Sequence, residues 1–518
     1  MRLNYLGISH LTSALHLAVG AAVFNWPDPL LDTLDSQLYE ISTVSILAVN
    51  CTSRDNSTIA AQWLRLAYHD MATHNSTTGT GGMDASIQFE FTRAQDVGMG
   101  MIESLRDFVS TLNQYVGMAD VIAMGAINAV IGCGGPVIPF KGGRIDATEA
   151  GPATVPEPQQ DLASHIASFQ AQGFNETEMI ALVACGHSLG GVRQVDFPLI
   201  ATEDAPTGIQ TFASTVGFDN TVVTEYLDGT TENVLVVGSN ITTRSDFRIF
   251  SIDGNATMQS LASPETFNKV CAALIERMIN TVPSTVTLTD TLEPFDFKVQ
   301  DTSFYPQAGS LVFLATLRII DVGVNRAVTM FWKERTGKFC PAKGCSIQAT
   351  VIQEVPSLYA QLKGVTGFNR HSFNASIDLA TSISHFWFEV NNSDGSAPFI
   401  VDNNGANYTI DQDVLLYDPQ RTISTFFSNT SVNERMVVGV KDPSKTIVTS
   451  LTTFGSNTPP FTGSGIDTFE LDSSFPPADG YTFYSLPFDF DGVFPLSHTI
   501  QATINGTMYS AWVPGNGI

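Results

Sequence analysis

Up to about residue 285 the apolar positions recur at helical spacing, as in Met101-Ile-Glu-Ser-Leu-Arg-Asp-Phe-Val109 and Thr266-Phe-Asn-Lys-Val-Cys-Ala-Ala-Leu-Ile-Glu-Arg-Met-Ile279. That period gathers the apolar side chains on one face of a helix. Beyond Pro283 the text changes to short runs rich in Val, Thr, Phe and Trp, bounded by Gly, Pro, Asn and Asp. Thr285–Thr289, Ser310–Leu317, Ala327–Trp332, His385–Val390 and Met436–Val440 read as strands. The pattern predicts a mainly helical domain over residues 30–285 and a β-sandwich-rich C-terminal region. The latter, about 230 residues long, suits sandwiches of ~100 residues each, with a division near Pro419 into 286–419 and 420–518. Before the helical part, an apolar run from Leu11 to Phe24 contains Gly20-Ala21-Ala22. It reads as a signal peptide over residues 1–22, cleaved near Ala22. Ser, Thr and His interrupt the run, which is short for a span. With no second such stretch and no lipid-anchor signal at Trp512–Ile518, no membrane anchor is expected and the protein is expected outside the cell.

Charge narrows the partners. Asp plus Glu number 51 against 25 Lys plus Arg, a net charge of −26, which argues against nucleic acid or an anionic membrane. Eleven Asn-x-Ser/Thr sequons, among them Asn56, Asn75, Asn175 and Asn255, point to a glycoprotein. Six cysteines in an exported chain are expected to pair. Cys340 and Cys345 are near enough in sequence to close a small loop; for Cys185 and Cys271, a bond and two buried thiols both stay open.

Two histidines carry the candidate chemistry. In Arg65-Leu-Ala-Tyr68-His69-Asp70, Arg65 and His69 lie four residues apart and share a helix face. A base at His69 and a fixed cation at Arg65 suit the cleavage of a peroxide, which needs a proton moved and developing charge stabilised. Asp70 points about 100° away around the helix. Gly81-Gly82-Met83-Asp84-Ala85-Ser86 then presents oxygen donors at alternate positions, as calcium loops do. The second histidine, His187, falls in a segment that opens with Glu176 and reads as an acidic-started helix ending at Gly190-Gly191.

Arg-x-x-aromatic-His-Asp followed by Gly-Gly-x-Asp-x-Ser resembles the distal signature of the plant, fungal and bacterial haem peroxidase superfamily, here in its secreted fungal form. The resemblance runs over roughly residues 45–285. It includes the Pro-rich stretch and turn Pro136–Ala147 and the fungal access-channel loop Val155-Pro156-Glu157-Pro158. It implies haem b held by His187 as axial ligand, with Asp246 taking that ring's other N–H and with Tyr68 and Phe212 beside the site. Arg65 and His69 become the catalytic pair, and Glu90 and Asp96 the hydrogen-bond chain to His69, with Asp96 standing where relatives keep Asn. Asp70, Gly82, Asp84 and Ser86 are implied as ligands of a distal Ca²⁺. Ser188, Thr215 and Asp219 fall on a second, proximal Ca²⁺ site, in which Ala213 replaces an expected carboxylate. A Cys51–Cys133 disulfide is implied as well.

Two specialisations of the family are absent. The acidic residues of manganese peroxidases are replaced by Thr58, Gln62 and Arg193, and hard cations need oxygen ligands. The surface Trp of lignin peroxidases is Leu182 here. The reading is a secreted, extracellular haem peroxidase that reduces H₂O₂ while oxidising small donors, phenols first among them, one electron at a time. Cell-wall polysaccharide is a partner for the β region. Two alternatives compete: a haem-bearing cell-wall or carbohydrate-binding glycoprotein with vestigial peroxidase activity, and a β-sandwich adhesin with a helical scaffold.

Overall fold

The computed structural model describes residues 21–24, 28–202, 208–320, 325–337, 344–428, 431–441, 443, 446–456, 458–459, 461–491 and 493–514. A helical half precedes a half made of strands in several sheets. At the centre of the first lies Met118–Gly132, a helix apolar on every side and buried along its whole length, as a helix enclosed by others must be. Its first turn is closed by Asp146, whose carboxylate accepts the N–H groups of Met118 and Ala119 at 2.8 and 2.9 Å. Burial pushes that carboxyl up to about 6. The neighbouring Arg144 reaches Asp120 at 2.8 Å and the carbonyl of Ile279 at 2.7 Å. The Gly-Arg-x-Asp turn thus ties the central helix to the end of Pro264–Ile279. Gly125 lets Phe108 pack against the same helix, for a Cβ there would stand 2.4 Å from the ring.

Ile59–Met71, here the distal helix, packs on this centre and begins at Thr58, whose hydroxyl accepts from Ala61 N–H. Glu176–Gly186, the proximal helix, opens with a capping box between Asn175 and Glu178. It stops at Gly186, short of the expected Gly190-Gly191. His187 takes the C-cap position, Ser188 Oγ donates to the carbonyl of Cys185, and Gly191 begins a two-strand ribbon with Ile209–Thr211. Cys51 bonds to Cys133, and Cys185 to Cys271, which settles the pairing left open above and staples the proximal helix to Pro264–Ile279. Cys345 is disulfide-bonded; Cys340 lies outside the described residues.

Most of the expected strands form, within Ser310–Ile320, Ala327–Lys333, His385–Asn391 and Ser431–Lys441. Thr285–Thr289 does not. Its backbone runs beside Phe140–Gly142, with Thr289 N–H on the carbonyl of Gly142 and Leu292 N–H on that of Phe140. A lone extended segment paired with a loop does not build a ladder, and the first strand starts at Phe297. Leu415–Tyr417, before Pro419, pairs with Ser431–Lys441 after it, and residues from both sides enter one apolar cluster. Residues 1–20 of the expected signal peptide lie outside the described residues. Ala21 and Ala22 pair in parallel with Tyr509 and Ser510, and Val23 is buried in the sandwich core. Among the described residues no helix is long and apolar enough to cross a membrane.

The two halves are locked by buried charge. Helix Pro29–Tyr39 and the residue after it present Asp35 and Glu40 to the β half. There Arg318, 0% exposed, reaches Asp35 at 2.6 Å and Glu40 at 2.8 Å, and Lys298, also 0% exposed, reaches Asp35 at 3.2 Å. Helix Leu358–Leu362, from the β half, enters the helical core with Tyr359, whose hydroxyl donates to the carbonyl of Ile138. Arg318→Met should therefore destabilise the whole protein by about 1–3 kcal/mol, because it removes one of the two cations on the buried Asp35 and leaves Lys298 there alone. Calorimetry should show both halves unfolding in one transition; two separate transitions would refute the coupling.

Candidate active site

The distal helix brings Arg65 and His69 to one wall of a cavity of about 740 Å³, and the end of the proximal helix brings His187 into the same lining. His69 Nδ1 stands 2.8 Å from Asp96 Oδ1, with Asp96 1% exposed. An ionised carboxylate only accepts hydrogen bonds, so Nδ1 carries the hydrogen and Nε2 keeps the lone pair. Burial pulls the His69 pKa down, the hydrogen bond to Asp96 pulls it up, and the charge of Arg65 pulls it down again. The net effect favours neutral imidazole.

Arg65 donates to the carbonyls of Gln95 and Val97, both at 3.1 Å, and lies over the Phe197 ring at 5.6 Å. Burial brings it down to about 10, against the opposing pull of Asp96 and Asp196. At neutral pH it remains a cation. Glu90, expected in a chain with Asp96, accepts from Gly151 N–H at 2.8 Å and pairs with Arg93 at 2.5 Å. Its pKa is raised by burial, with the Asp96 charge contributing. Tyr68 stacks on Phe169 and reaches Gln172.

On the proximal side, His187 Nδ1 meets Asp246 Oδ2 at 2.7 Å. Asp246, 1% exposed, sits in helix Ser245–Phe250 and also accepts from Asn233 Nδ2 at 2.8 Å. Two donors on one oxygen hold the carboxylate in place and fix the ring that leans on it. Phe212 stacks on His187 at 4.0 Å and 14°. Sequence reasoning missed Asn233. The only trace is the turn Thr231-Glu-Asn233, whose residues cap the short helix Val234–Val237, a pattern common to many turns.

The residues fit haem. His187 has one nitrogen held by a buried carboxylate and Nε2 left for a ligand, and the walls are mostly apolar, with Leu182, Val183, Leu189, Val192, Phe197 and Leu235 among them. Such a cavity accepts a flat apolar macrocycle whose metal takes an axial imidazole.

The calcium residues are arranged less simply. Asp70, wholly buried, accepts from Ala85 N–H at 2.9 Å and Ile87 N–H at 3.1 Å, so it ties the distal helix to the Gly82–Ser86 loop directly. Its pKa is raised well above the ordinary value by burial and by Asp84, and that of Asp84 is raised by burial. The buried Ser86 Oγ has no hydrogen-bond partner. Two desolvated carboxylates beside an unpaired hydroxyl are the donors that a hard cation takes. At the other site Ser188 donates to Cys185, and Thr215 to Asp219 at 3.0 Å. Among the described residues no group of three or more His, Cys, Asp or Glu is placed to hold a metal. Of the residues replacing the family's donor sites, Gln62 accepts from Arg54, Arg193 pairs with Asp196 at 3.3 Å, and Leu182 is buried.

A sequence model of the family described as Peroxidase matches residues 47–259. A WSC domain-containing protein of Arthroderma benhamiae is 36% identical over 347 residues, covering 63% of this chain, more than its helical half, and 46% of its own length. Peroxisomal L-ascorbate peroxidase 5 of Arabidopsis thaliana is 33% identical over 177 residues, 33% of this chain and 59% of its own. Mitochondrial cytochrome c peroxidase of Yarrowia lipolytica is 31% identical over 144 residues, 26% of this chain and 42% of its own. The chain thus spans about half the length of these relatives. With a distal Arg-His pair and a carboxylate-held proximal His facing one cavity, residues 47–259 form a peroxidase domain of the plant, fungal and bacterial peroxidase superfamily.

Proposed function

We propose that the protein is an extracellular haem peroxidase that reduces H₂O₂ and oxidises small, chiefly phenolic donors. The observation that carries this reading is the pair of histidines in one cavity, each with its Nδ1 held by a buried carboxylate. Haem b, when bound through His187, supplies the iron at which peroxide is reduced. His69 Nε2 takes the first proton of peroxide and returns it to the departing oxygen. Arg65, fixed by two carbonyls, holds its positive charge where negative charge develops. Asp246 fixes the tautomer of His187 and prevents ring rotation. On this reading donors approach past Val155–Pro158, Asn240, Thr242 and Thr243, all of which line the cavity. Among the lining residues Leu199 is an exposed apolar side chain, 80% accessible. Together with the pairing of Arg193 by Asp196, it suits uncharged aromatic donors better than small anions. One Ca²⁺, held by Asp70, Gly82, Asp84 and Ser86, belongs to this reading, and so does cell-wall polysaccharide as the partner of the β half.

The haem assignment is checked by absorption spectroscopy. Folded His187→Ala protein should lose the histidine-ligated Soret spectrum, and Asp246→Asn should weaken haem retention or activity by about 10- to 100-fold. An unchanged spectrum in His187→Ala would exclude His187 as the axial ligand.

The pH dependence follows from Asp96. Its negative charge raises the pKa of His69, and His69 must be neutral to accept a proton. Asp96→Asn should then move the acid limb of peroxide activation to lower pH, read by stopped-flow from pH 3 to 8. Coincident limbs would mean that Asp96 is uncharged when His69 titrates.

For calcium, chelation should lower the thermal midpoint and slow peroxide activation together. At an ion concentration of about 100 times Kd the stabilisation lost is about 2.7 kcal/mol. Chelated protein with both properties unchanged would remove the ion from the proposal.

A further inference from the structure

Strands Ala327–Lys333 and His385–Asn391 are antiparallel neighbours, with Trp387 directly opposite Phe331 and His385 opposite Lys333. Their alternate residues serve different faces. Val328, Met330, Phe386, Phe388 and Val390 are buried in the sandwich core. Phe331, His385 and Trp387, between them, are only partly buried and belong neither to the large apolar clusters nor to the partly buried residues packed on them. Phe331 and Trp387 are stacked across the strands, their centroids 6.0 Å apart and their planes 11° from parallel, and His385 lies 5.9 Å from Trp387 with its ring tilted by 33°.

Cross-strand aromatic pairs do stabilise sheets, by roughly 0.2–1 kcal/mol each. That accounts for two touching rings, but not for a third beside them on a face whose other residues, Ile400 opposite Glu389 apart, are mostly polar. Ser346 is the register partner of Phe331, and Thr409 that of His385, so hydroxyl residues border the rings on both flanks. Lys333 and Glu389 stand on the same face at opposite ends of the two strands and leave it without net charge.

We propose that this face is a binding site for a neutral polysaccharide chain. The proposal rests on the reading that the β half attaches the protein to polysaccharide, and it gives that attachment a place. A pyranose ring has an apolar face of C–H groups and a rim of hydroxyls. A cluster of aromatic side chains receives such an apolar face, while side chains beside it exchange hydrogen bonds with the rim. Charge selects among polymers. A protein of net charge −26 repels a polyanion, whereas this uncharged face accepts a neutral chain without desolvating an unpaired ion.

The test uses the full-length protein on three insoluble supports: a neutral β-glucan, chitin, and polygalacturonate. Wild type should be retained by a neutral polymer and released by its soluble oligosaccharide, and should pass through polygalacturonate. Trp387→Ala and Phe331→Ala should each weaken retention by at least about tenfold, as loss of a central aromatic anchor does. Trp387→Tyr should restore most of it, and the Soret band and thermal midpoint should stay at wild-type values. If an alanine variant does not fold, oligosaccharide quenching of wild-type tryptophan fluorescence, removed in Trp387→Tyr, gives the same reading. Wild-type retention unaffected by either alanine variant would overturn this site and leave polysaccharide attachment standing. No retention on a neutral polymer, or stronger retention on polygalacturonate, would overturn both.

Discussion

A neutral imidazole has one N–H and one lone pair, and at each end of the cavity a buried carboxylate decides which nitrogen keeps the hydrogen. At His187 the carboxylate is Asp246 and at His69 it is Asp96, in both cases bonded to Nδ1. Both lone pairs are therefore left on Nε2. The surrounding structure keeps those two carboxylates in place. Asn233 holds Asp246, and the Cys185–Cys271 bond anchors the helix that ends at His187. Asp70 ties the distal helix to the next loop through two backbone N–H groups. Loosening any of these moves a ring nitrogen, and catalytic geometry tolerates little movement.

The same logic of buried charge extends beyond the site. Arg318 and Lys298 reach from the β half into the acidic end of helix Pro29–Tyr39. Desolvated ions of this kind contribute little net stability when paired, yet each is a severe liability alone. The β half thus cannot separate from the helical half without exposing or orphaning these charges. Tyr39 and Tyr359 add the apolar side of that junction, with their rings 5.6 Å apart. A domain fastened in this way holds its outer faces at fixed positions relative to the cavity.

Much of this was legible in the sequence because periodicity and spacing carry it. The i, i+4 relation of Arg65 and His69 needs only a helix, and the alternation in His385–Asn391 needs only a sheet with one buried face. What escaped depends on distant partners. Thr285–Thr289 has strand composition, but its neighbour is the loop Phe140–Gly142. The proximal helix ends at Gly186 because Ser188 and His187 take over its last turn, although Gly190-Gly191 is the stronger local stop signal. Asn233 looked like any turn residue, since its role exists only once Asp246 is folded beside it. Cys185 and Cys271 could be paired only by knowing that two helices lie side by side.

On the proposed reading, the positions of the two binding surfaces explain one another. The cavity lacks the acidic cluster and the surface Trp with which some relatives draw electrons from metal ions or bulky polymers, and Gln62, Arg193 and Leu182 occupy those places with partners of their own. Donors must then diffuse to the cavity itself, which Leu199 lines as an exposed apolar side chain. A neutral polysaccharide held by Phe331 and Trp387 would not itself be oxidised, because it has no phenolic group to give an electron. It would instead keep the enzyme where soluble phenols are released, and rigid coupling through Arg318 would keep the cavity at a constant distance from that support. Attachment and oxidation are thereby separate functions, joined by one buried ion-pair network.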